Sequence, residues 1–130
     1  MRALVTGGVG FVGTNLIKRL INDGHNVISL DNYSTGHKEN EQAECEYLNV
    51  DITDTQDYLN FNLWDIDKPD VIFHMAALPR IKPSFENPTE VIDVNVNGTT
   101  NVLDYARHNK IPVIYAGTSS FWGGVYKNHY

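Results

Sequence analysis

The residues TGGVGFVG at positions 6–13 are the part of this sequence that decides the fold. They follow a short apolar run, Ala3–Val5, that predicts a strand, and they precede a stretch with the apolar spacing of a helix. Gly8, Gly10 and Gly13 fit the spacing G-x-G-x-x-G, and Gly7, Gly10 and Gly13 fit the spacing G-x-x-G-x-x-G. The glycines therefore lie at a turn from a strand into a helix.

Glycine at such a turn points to a phosphate ligand. It permits a tight turn, and it has no Cβ to hold a pyrophosphate away from the backbone. The N-terminus of the following helix adds unpaired N–H groups and a partial positive charge. The alternative is a glycine-rich turn with no ligand. The position of residues 6–13 between the first strand and the first helix favours dinucleotide binding instead.

Carboxylates end the second and third predicted strands. Asp31 can accept hydrogen bonds from both hydroxyls of an adenosine ribose, and it would repel a 2′-phosphate. Asn32 and Tyr33 bring no compensating positive charge, so the sequence favours NAD over NADP. Asp51 could accept from the amine of an adenine while Ile52 packs on the base. A turn or helix-capping role for Asp51 is an equal alternative.

Short apolar runs alternate with helical stretches along the chain. This alternation predicts an α/β fold with a Rossmann-type, doubly wound parallel sheet of about five strands in the order 3-2-1-4-5. Its ligand site is expected at the carboxyl ends of the strands. The predicted strands are Ala3–Val5, Val27–Leu30, Tyr47–Val50, Val71–His74 and Val113–Ala116.

Two helices are predicted with defined ends. The first runs from Phe11 to Asn22 and stops at Gly24; the second begins at Pro88, capped by Asn87 with Glu90 in its first turn, and ends at Ile111-Pro112. A shorter helix could open at Thr53 with Gln56. The residues expected on the apolar faces are Phe11, Leu16, Ile17, Leu20 and Ile21 in the first helix, and Val91, Val94, Val102, Leu103 and Ala106 in the second.

Composition excludes several classes of protein. The chain has 130 residues, 42% hydrophobic and 20% charged, which suits one globular domain. A net charge of −6 argues against a nucleic-acid or anionic-membrane partner. Cys45 is the only cysteine, and the nearly apolar run from Val71 to Leu78 is too short to span a bilayer. From the single cysteine and the short apolar runs we expect a soluble, cytoplasmic protein. The five histidines lack metal-ligand spacing, so we expect no metal site.

Five segments in order resemble one family over nearly the whole chain. The sequence is similar to the N-terminal half of extended short-chain dehydrogenases/reductases, and within them to the NAD-dependent nucleotide-sugar epimerases and dehydratases. The segments are Thr6–Gly13, Asp31–Gly36, Asp51-Ile52, His74–Ala77 and Asn95–Thr99.

The resemblance implies a role for each matching position. Thr118 would be the catalytic hydroxyl, although a polar turn after the fifth strand is the alternative. Ser119 and Ser120 follow it where some dehydratases carry acidic residues, which favours epimerisation. Asn95 would be a polar contact near the cofactor or an ordinary asparagine of the helix surface. The expected NAD contacts are Gly7, Gly10, Phe11, Val12, Gly13, Asp31, Asn32, Ser34, Thr35, Gly36, Asp51, Ile52, Met75, Ala76, Ala77, Leu78 and Asn95.

One element of the family's chemistry is missing from this sequence. The resemblance implies a general base formed by a tyrosine with a lysine four residues later, and no tyrosine here has a lysine at that position. We therefore expect residues 1–130 to be an NAD-binding domain that is incomplete at its C-terminus, lacks the substrate domain and is inactive alone. Two functions stay open: an epimerase of UDP- or dTDP-sugars, with a homodimer formed around the helix from Pro88, and a non-catalytic NAD-binding module.

Overall fold

The computed structural model describes residues 1–54, 68–79 and 81–117. Five parallel strands form one sheet in the order β3-β2-β1-β4-β5, which confirms the predicted topology. The strands are β1 (Arg2–Thr6), β2 (Asn26–Asp31), β3 (Cys45–Asn49), β4 (Val71–His74) and β5 (Val113–Tyr115). β3 begins two residues earlier than predicted and ends one residue earlier, so that Val50 follows the strand instead of ending it.

Helices cover both faces of the sheet. They are α1 (Phe11–Asn22), α2 (Ile81–Glu86), α3 (Pro88–Ile92) and α4 (Thr99–Asn109). A π-helical segment, Asp93–Gly98, joins α3 to α4. The Asn87 side chain caps α3 by accepting from the Glu90 N–H at 3.4 Å, as predicted. The predicted helix at Thr53 lies largely outside the described residues, because Gln56 is not among them.

Two apolar cores sandwich the sheet. Alternate residues of β1 point to opposite faces, so Ala3 and Val5 pack under α1 while Leu4 packs under α4. The core on the α1 side contains Ala3, Val5, Ile17, Leu20, Val27, Cys45 and Val71. The core on the α4 side contains Leu4, Ile28, Leu30, Val50, Ile52, Ile72, Val102, Ala106 and Ile111.

Two residues predicted on apolar helix faces are exposed instead. Phe11 is 86% exposed because it is the first residue of α1, ahead of the turn that packs on the sheet. Leu103 is 47% exposed because Val102 and Ala106 form the face of α4 that is buried. The rest of the predicted pattern for α1 holds, with Ile17 and Leu20 in the core and Leu16 and Ile21 packed against it.

Candidate functional site

The glycine turn brings two backbone segments into contact. Gly7 has φ +72°, a left-handed conformation that favours glycine, and its N–H donates to the Leu30 carbonyl at 2.8 Å. A Cβ on Gly7 would lie 2.8 Å from the Ala76 Cα, and a Cβ on Gly13 would collide with the Gly7 carbonyl oxygen. The turn therefore requires glycine at both positions, and it leaves backbone exposed on the groove side.

No side chain among the described residues caps the N-terminus of α1. Gly10 is its N-cap residue, and the structure gives no side-chain hydrogen bond there. Helices leave their first N–H groups without intrahelical partners, and these attract anions. Phe11 and Val12 in this first turn are 86% and 58% exposed, so they leave the helix end open to a ligand.

Asp31 is held at the end of β2 by two backbone hydrogen bonds. The Val9 N–H donates to its Oδ2 at 3.1 Å, and the Tyr33 N–H donates to its Oδ1 at 2.8 Å. A carboxylate offers about four acceptor positions. The two amides use one on each oxygen, and the described part of the chain supplies no other donor, so one position on each oxygen is left for a pair of hydroxyls in the groove.

Asp51 takes part in a compact turn. Its Oδ1 accepts from the Thr53 N–H at 2.9 Å and from the Thr53 hydroxyl at 2.7 Å, and its Oδ2 accepts from the Asn32 amide at 2.9 Å. Partial burial raises the pKa of Asp51, but these hydrogen bonds outweigh it and hold the pKa below its ordinary value. The turn role considered for Asp51 is therefore present. Ile52 is buried against Gly98, where a Cβ would come 2.7 Å from its Cδ1.

The loop between β2 and β3 is anchored beside the glycine turn. The Asn40 amide donates to the Val9 carbonyl at 2.8 Å, and the Tyr33 hydroxyl donates to Glu41 Oε1 at 2.6 Å. Tyr33 has φ +58°, which is uncommon for a residue with a side chain. Sequence reasoning missed Asn40, because its partner is a backbone carbonyl that no sequence pattern identifies.

His74, at the end of β4, joins three elements. Its Nδ1 lies 2.7 Å from the Thr6 hydroxyl, and its Nε2 lies 2.9 Å from the Thr99 hydroxyl. The Thr6 hydroxyl oxygen also accepts from the Met75 and Ala76 N–H groups, both at 3.1 Å. His74 is 1% exposed, and burial lowers its pKa below the ordinary value. It is a hydrogen-bonded core histidine directly before Met75, which lines the groove.

Most residues predicted from sequence to bind a cofactor lie along one groove at the carboxyl ends of the strands. Asn95 is absent from the groove lining; its side chain instead bonds the backbone of Leu78. The catalytic hydroxyl predicted at Thr118 lies outside the described residues. The predicted residues that line the groove are Gly7, Gly10, Phe11, Val12, Gly13, Asp31, Asn32, Ser34, Thr35, Gly36, Asp51, Ile52, Met75, Ala76, Ala77 and Leu78.

Further residues that were not predicted also line the groove. Leu30, Val50 and Val94 contribute apolar surface near Ile52. Val9 within the glycine turn and His37 from the loop after β2 lie at its other end, together with charged and polar side chains such as those of Lys18, Asn40 and Glu90. The described ranges contain no cluster of histidine, cysteine or acidic residues able to hold a metal ion. Within the same ranges, no helix is long and apolar enough to cross a membrane.

These features define a Rossmann-type dinucleotide-binding domain: the parallel strand order β3-β2-β1-β4-β5, the glycine turn into α1 and the carboxylate at the end of β2. Comparison with known proteins identifies the family. Residues 3–128 match the NAD dependent epimerase/dehydratase family, and the chain belongs to it. NAD is the cofactor named for this family.

Individual relatives are nucleotide-sugar enzymes. The chain is 41% identical to a UDP-glucose 4-epimerase of Mycolicibacterium smegmatis over 82% of its length and 35% of that protein. It is 34% identical to a UDP-N-acetyl-alpha-D-glucosaminuronate decarboxylase of Bacillus cytotoxicus over 94% of its length and 38% of that protein. The structure resembles that of the Thermus thermophilus UDP-glucose 4-epimerase complexed with NAD, with a TM-score of 0.82, 33% identity, and coverage of 91% of this chain and 38% of that one. The chain spans about two fifths of the length of these relatives.

Proposed function

We propose that this chain binds NAD in the groove at the carboxyl edge of the sheet. The observation that carries the proposal is the Asp31 carboxylate, which two backbone amides hold beside the glycine turn with one acceptor position left on each oxygen. The two adenosine ribose hydroxyls are the matching pair of donors. A 2′-phosphate on that ribose would meet a negative charge, so we expect NAD to bind more tightly than NADP.

The remaining parts of the groove suit the other parts of NAD. The amides at the start of α1 and the glycine positions 7 and 13 fit a pyrophosphate that approaches the backbone closely. Asp51 would face the adenine amine, next to the apolar surface of Val50 and Ile52 that lines the same part of the groove. Met75–Leu78 would lie along the nicotinamide side, with the backbone of Leu78 held by Asn95.

We further propose that the whole protein is a nucleotide-sugar epimerase and that this chain forms its cofactor-binding half. Support comes from relatives named for UDP-sugar chemistry. When bound, NAD supplies reversible hydride transfer, and the chain's share of the work is to bind and orient the cofactor. Thr118, after β5, would hydrogen-bond the sugar hydroxyl that is oxidised. UDP- or dTDP-sugars are the proposed substrates, in the cytoplasm.

A second copy of the chain is the proposed partner. Ile92, Val96 and Leu103 are 58%, 55% and 47% exposed along the long helical stretch from α3 to α4. Exposed apolar residues along one continuous helical stretch favour association. Sedimentation of the wild type and of Leu103→Glu tests this: the wild type should be a dimer that the glutamate dissociates, and a monomeric wild type would contradict the proposal.

Calorimetric titration of NAD and NADP tests the binding function. The matched variants are Asp31→Ala and Asp70→Ala, because the Asp70 carboxylate also accepts a backbone N–H, that of Arg2 at 2.7 Å, but at the opposite edge of the sheet. We expect Asp31→Ala to weaken NAD binding by about tenfold or more, the equivalent of one or two charge-assisted hydrogen bonds. Asp70→Ala should leave NAD affinity unchanged. A folded wild type that binds no NAD would overturn the proposal.

Turnover by the isolated chain would rule out a non-catalytic NAD-binding module. The purified chain is incubated with NAD and a panel of UDP- and dTDP-sugars, and the absorbance of the reduced nicotinamide is followed. We expect binding without turnover from residues 1–130 alone, since no tyrosine in the sequence has the lysine partner. Turnover by the 130-residue chain would show that this pair is dispensable.

A further inference from the structure

The Thr6 hydroxyl has three polar neighbours, and their chemistry determines where its proton lies. Its oxygen is 3.1 Å from the backbone nitrogens of Met75 and Ala76 and 2.7 Å from His74 Nδ1. A backbone N–H can only donate, and a hydroxyl has two acceptor positions and one proton. The Ala76 N–H and the Met75 N–H, which is shared with the Thr6 carbonyl oxygen at 3.2 Å, occupy the acceptor positions, so the hydroxyl proton is donated to Nδ1.

This assignment determines the form of the imidazole. Since Nδ1 accepts a proton from Thr6, the ring carries its own proton on Nε2 and is neutral. Nε2 then donates to the Thr99 hydroxyl at 2.9 Å. One chain of hydrogen bonds therefore runs from the start of α4, through His74, to the end of β1 and on to the backbone that follows β4.

We propose that His74 is a positioning residue of the cofactor groove: as the neutral, Nε2-protonated imidazole it takes the Thr6 proton and directs the Thr6 oxygen at the Met75 and Ala76 amides. This inference rests on the proposed NAD-binding function. It gives the buried histidine a role that differs from core packing, because the orientation of the Thr6 hydroxyl depends on the protonation of the ring.

Protonation of His74 breaks this arrangement. A proton on Nδ1 would face the Thr6 hydroxyl, which would have to rotate and release at least one of the two amides from its oxygen. Ala76 lies directly against Gly7, since a Cβ on Gly7 would come 2.8 Å from the Ala76 nitrogen. Displacement of Ala76 therefore reaches the glycine turn, and cofactor affinity falls in acid.

The surroundings of the ring favour the neutral form. Thr6 from β1 and Thr99 from α4 are uncharged, and Tyr115 from β5 is the titratable residue that the described part of the chain places against the imidazole, with 5.7 Å between ring centroids. Burial is the cause of the lowered pKa of His74. The neutral ring therefore persists below the pH at which a free imidazole would be half protonated.

The tautomer can be measured without a variant. In protein labelled with ¹⁵N at histidine, long-range proton–nitrogen correlation distinguishes a protonated Nε2 from a protonated Nδ1. We expect His74 to show the Nε2-protonated form near neutral pH. A proton on Nδ1 would overturn the proposal whatever the cofactor affinity.

NAD affinity against pH tests the consequence. A second histidine, His37, lines the same groove, so all titrations are made in a His37→Gln background that leaves His74 as the one histidine under test. As the pH falls from about 7.5 through the protonation of His74, we expect the His37→Gln protein to lose roughly fivefold to tenfold in affinity, the equivalent of one hydrogen bond. Adding Thr6→Ser should preserve this profile, since the hydroxyl remains.

Two further variants remove the hydrogen bond between His74 and the Thr6 hydroxyl. His74→Gln cannot titrate, so its profile should be flat. Thr6→Val lacks the hydroxyl, so its affinity should be lower at every pH and should not fall further in acid. An acid loss that persists in both variants would contradict the role of His74. Absence of NAD binding at about pH 7.5 in the folded wild type would instead contradict the proposed function.

Discussion

The side chain of Asn95 pairs with the backbone of Leu78 in both directions. The Leu78 N–H donates to Asn95 Oδ1 at 2.9 Å, and Asn95 Nδ2 donates to the Leu78 carbonyl at 3.2 Å. Asn95 belongs to the π-helical segment Asp93–Gly98, and such segments occur frequently at functional sites. The amide thus holds the loop after β4 as a neighbouring strand would.

Replacing Asn95 should cost stability and cofactor affinity together. Asn95→Ala removes two hydrogen bonds to a half-buried loop, so the free energy of unfolding should fall by about 1–3 kcal/mol. Asn97→Ala is the matched control, because Asn97 lies in the same segment but bonds the exposed Asp93 at 2.8 Å. Urea denaturation and NAD titration measure both effects. Equal losses in the two variants would show that the pairing with Leu78 is not the cause.

The C-termini of α1 and α4 allow a second prediction. Both end in a residue with a left-handed backbone, Gly24 with φ +78° after α1 and Lys110 with φ +54° after α4. An equivalent hydrogen bond follows each of them. The His25 N–H donates to the Leu20 carbonyl after α1, and the Ile111 N–H donates to the Ala106 carbonyl after α4. Lys110→Gly should therefore stabilise the fold by about 0.5–1 kcal/mol, since glycine adopts this conformation without a steric penalty.

Gly24→Ala is the reciprocal variant. Apart from its chain neighbours, no atom of residues 1–54, 68–79 or 81–117 lies within 4 Å of a Cβ built on Gly24, so the change tests backbone conformation without a new contact there. We expect a loss of about 1 kcal/mol in the free energy of unfolding. Thermal denaturation of both variants measures the effect. A stabilised Gly24→Ala or a destabilised Lys110→Gly would show that the backbone conformation is not what limits these termini.

The buried hydroxyls of Thr14 and Ser29, both beside Gly8, differ in their hydrogen bonding. The Thr14 hydroxyl donates to the Gly8 carbonyl at 3.2 Å, whereas the Ser29 hydroxyl is fully buried with no hydrogen-bond partner among the described residues. An unpaired buried hydroxyl costs free energy, so Ser29→Ala should raise the free energy of unfolding by about 1 kcal/mol. Thr14→Val should lower it by a similar amount. A loss of stability in Ser29→Ala would mean that its hydroxyl does have a partner.

The fold could be predicted because each local signal agreed with the global topology. Apolar runs marked the strands, and the glycine motif marked the turn from β1 into α1. The exposure of Phe11 could not be read from helical spacing alone. Helical spacing predicted Phe11 on the buried face of α1, but as the first residue of that helix it lies exposed beside the groove.

Parts of the site depend on pairings that leave no local signal. The partner of Asn95 is a backbone seventeen residues away, and the partner of His74 is a threonine that belongs to β1. Such contacts depend on strand order and on the π-helical register, which no short window of sequence contains. The sequence could therefore indicate which residues gather at the carboxyl edge, but not which hydroxyl or amide each one bonds.

The final prediction concerns acid stability and Asp51. Its pKa is lowered in the folded state, so Asp51 stabilises the fold above the pKa of an unfolded aspartate, about 4. That contribution is lost as the pH falls through the lower, folded value, because the protonated carboxyl no longer accepts from Thr53 and Asn32 as a charged group.

Carboxyl titration by NMR measures this pKa directly. Asn32→Ala removes one donor and should raise the pKa of Asp51, while Asp51→Asn should remove its share of the acid destabilisation seen by circular dichroism. An unchanged pKa in Asn32→Ala would contradict the assignment of the 2.9 Å hydrogen bond as a cause.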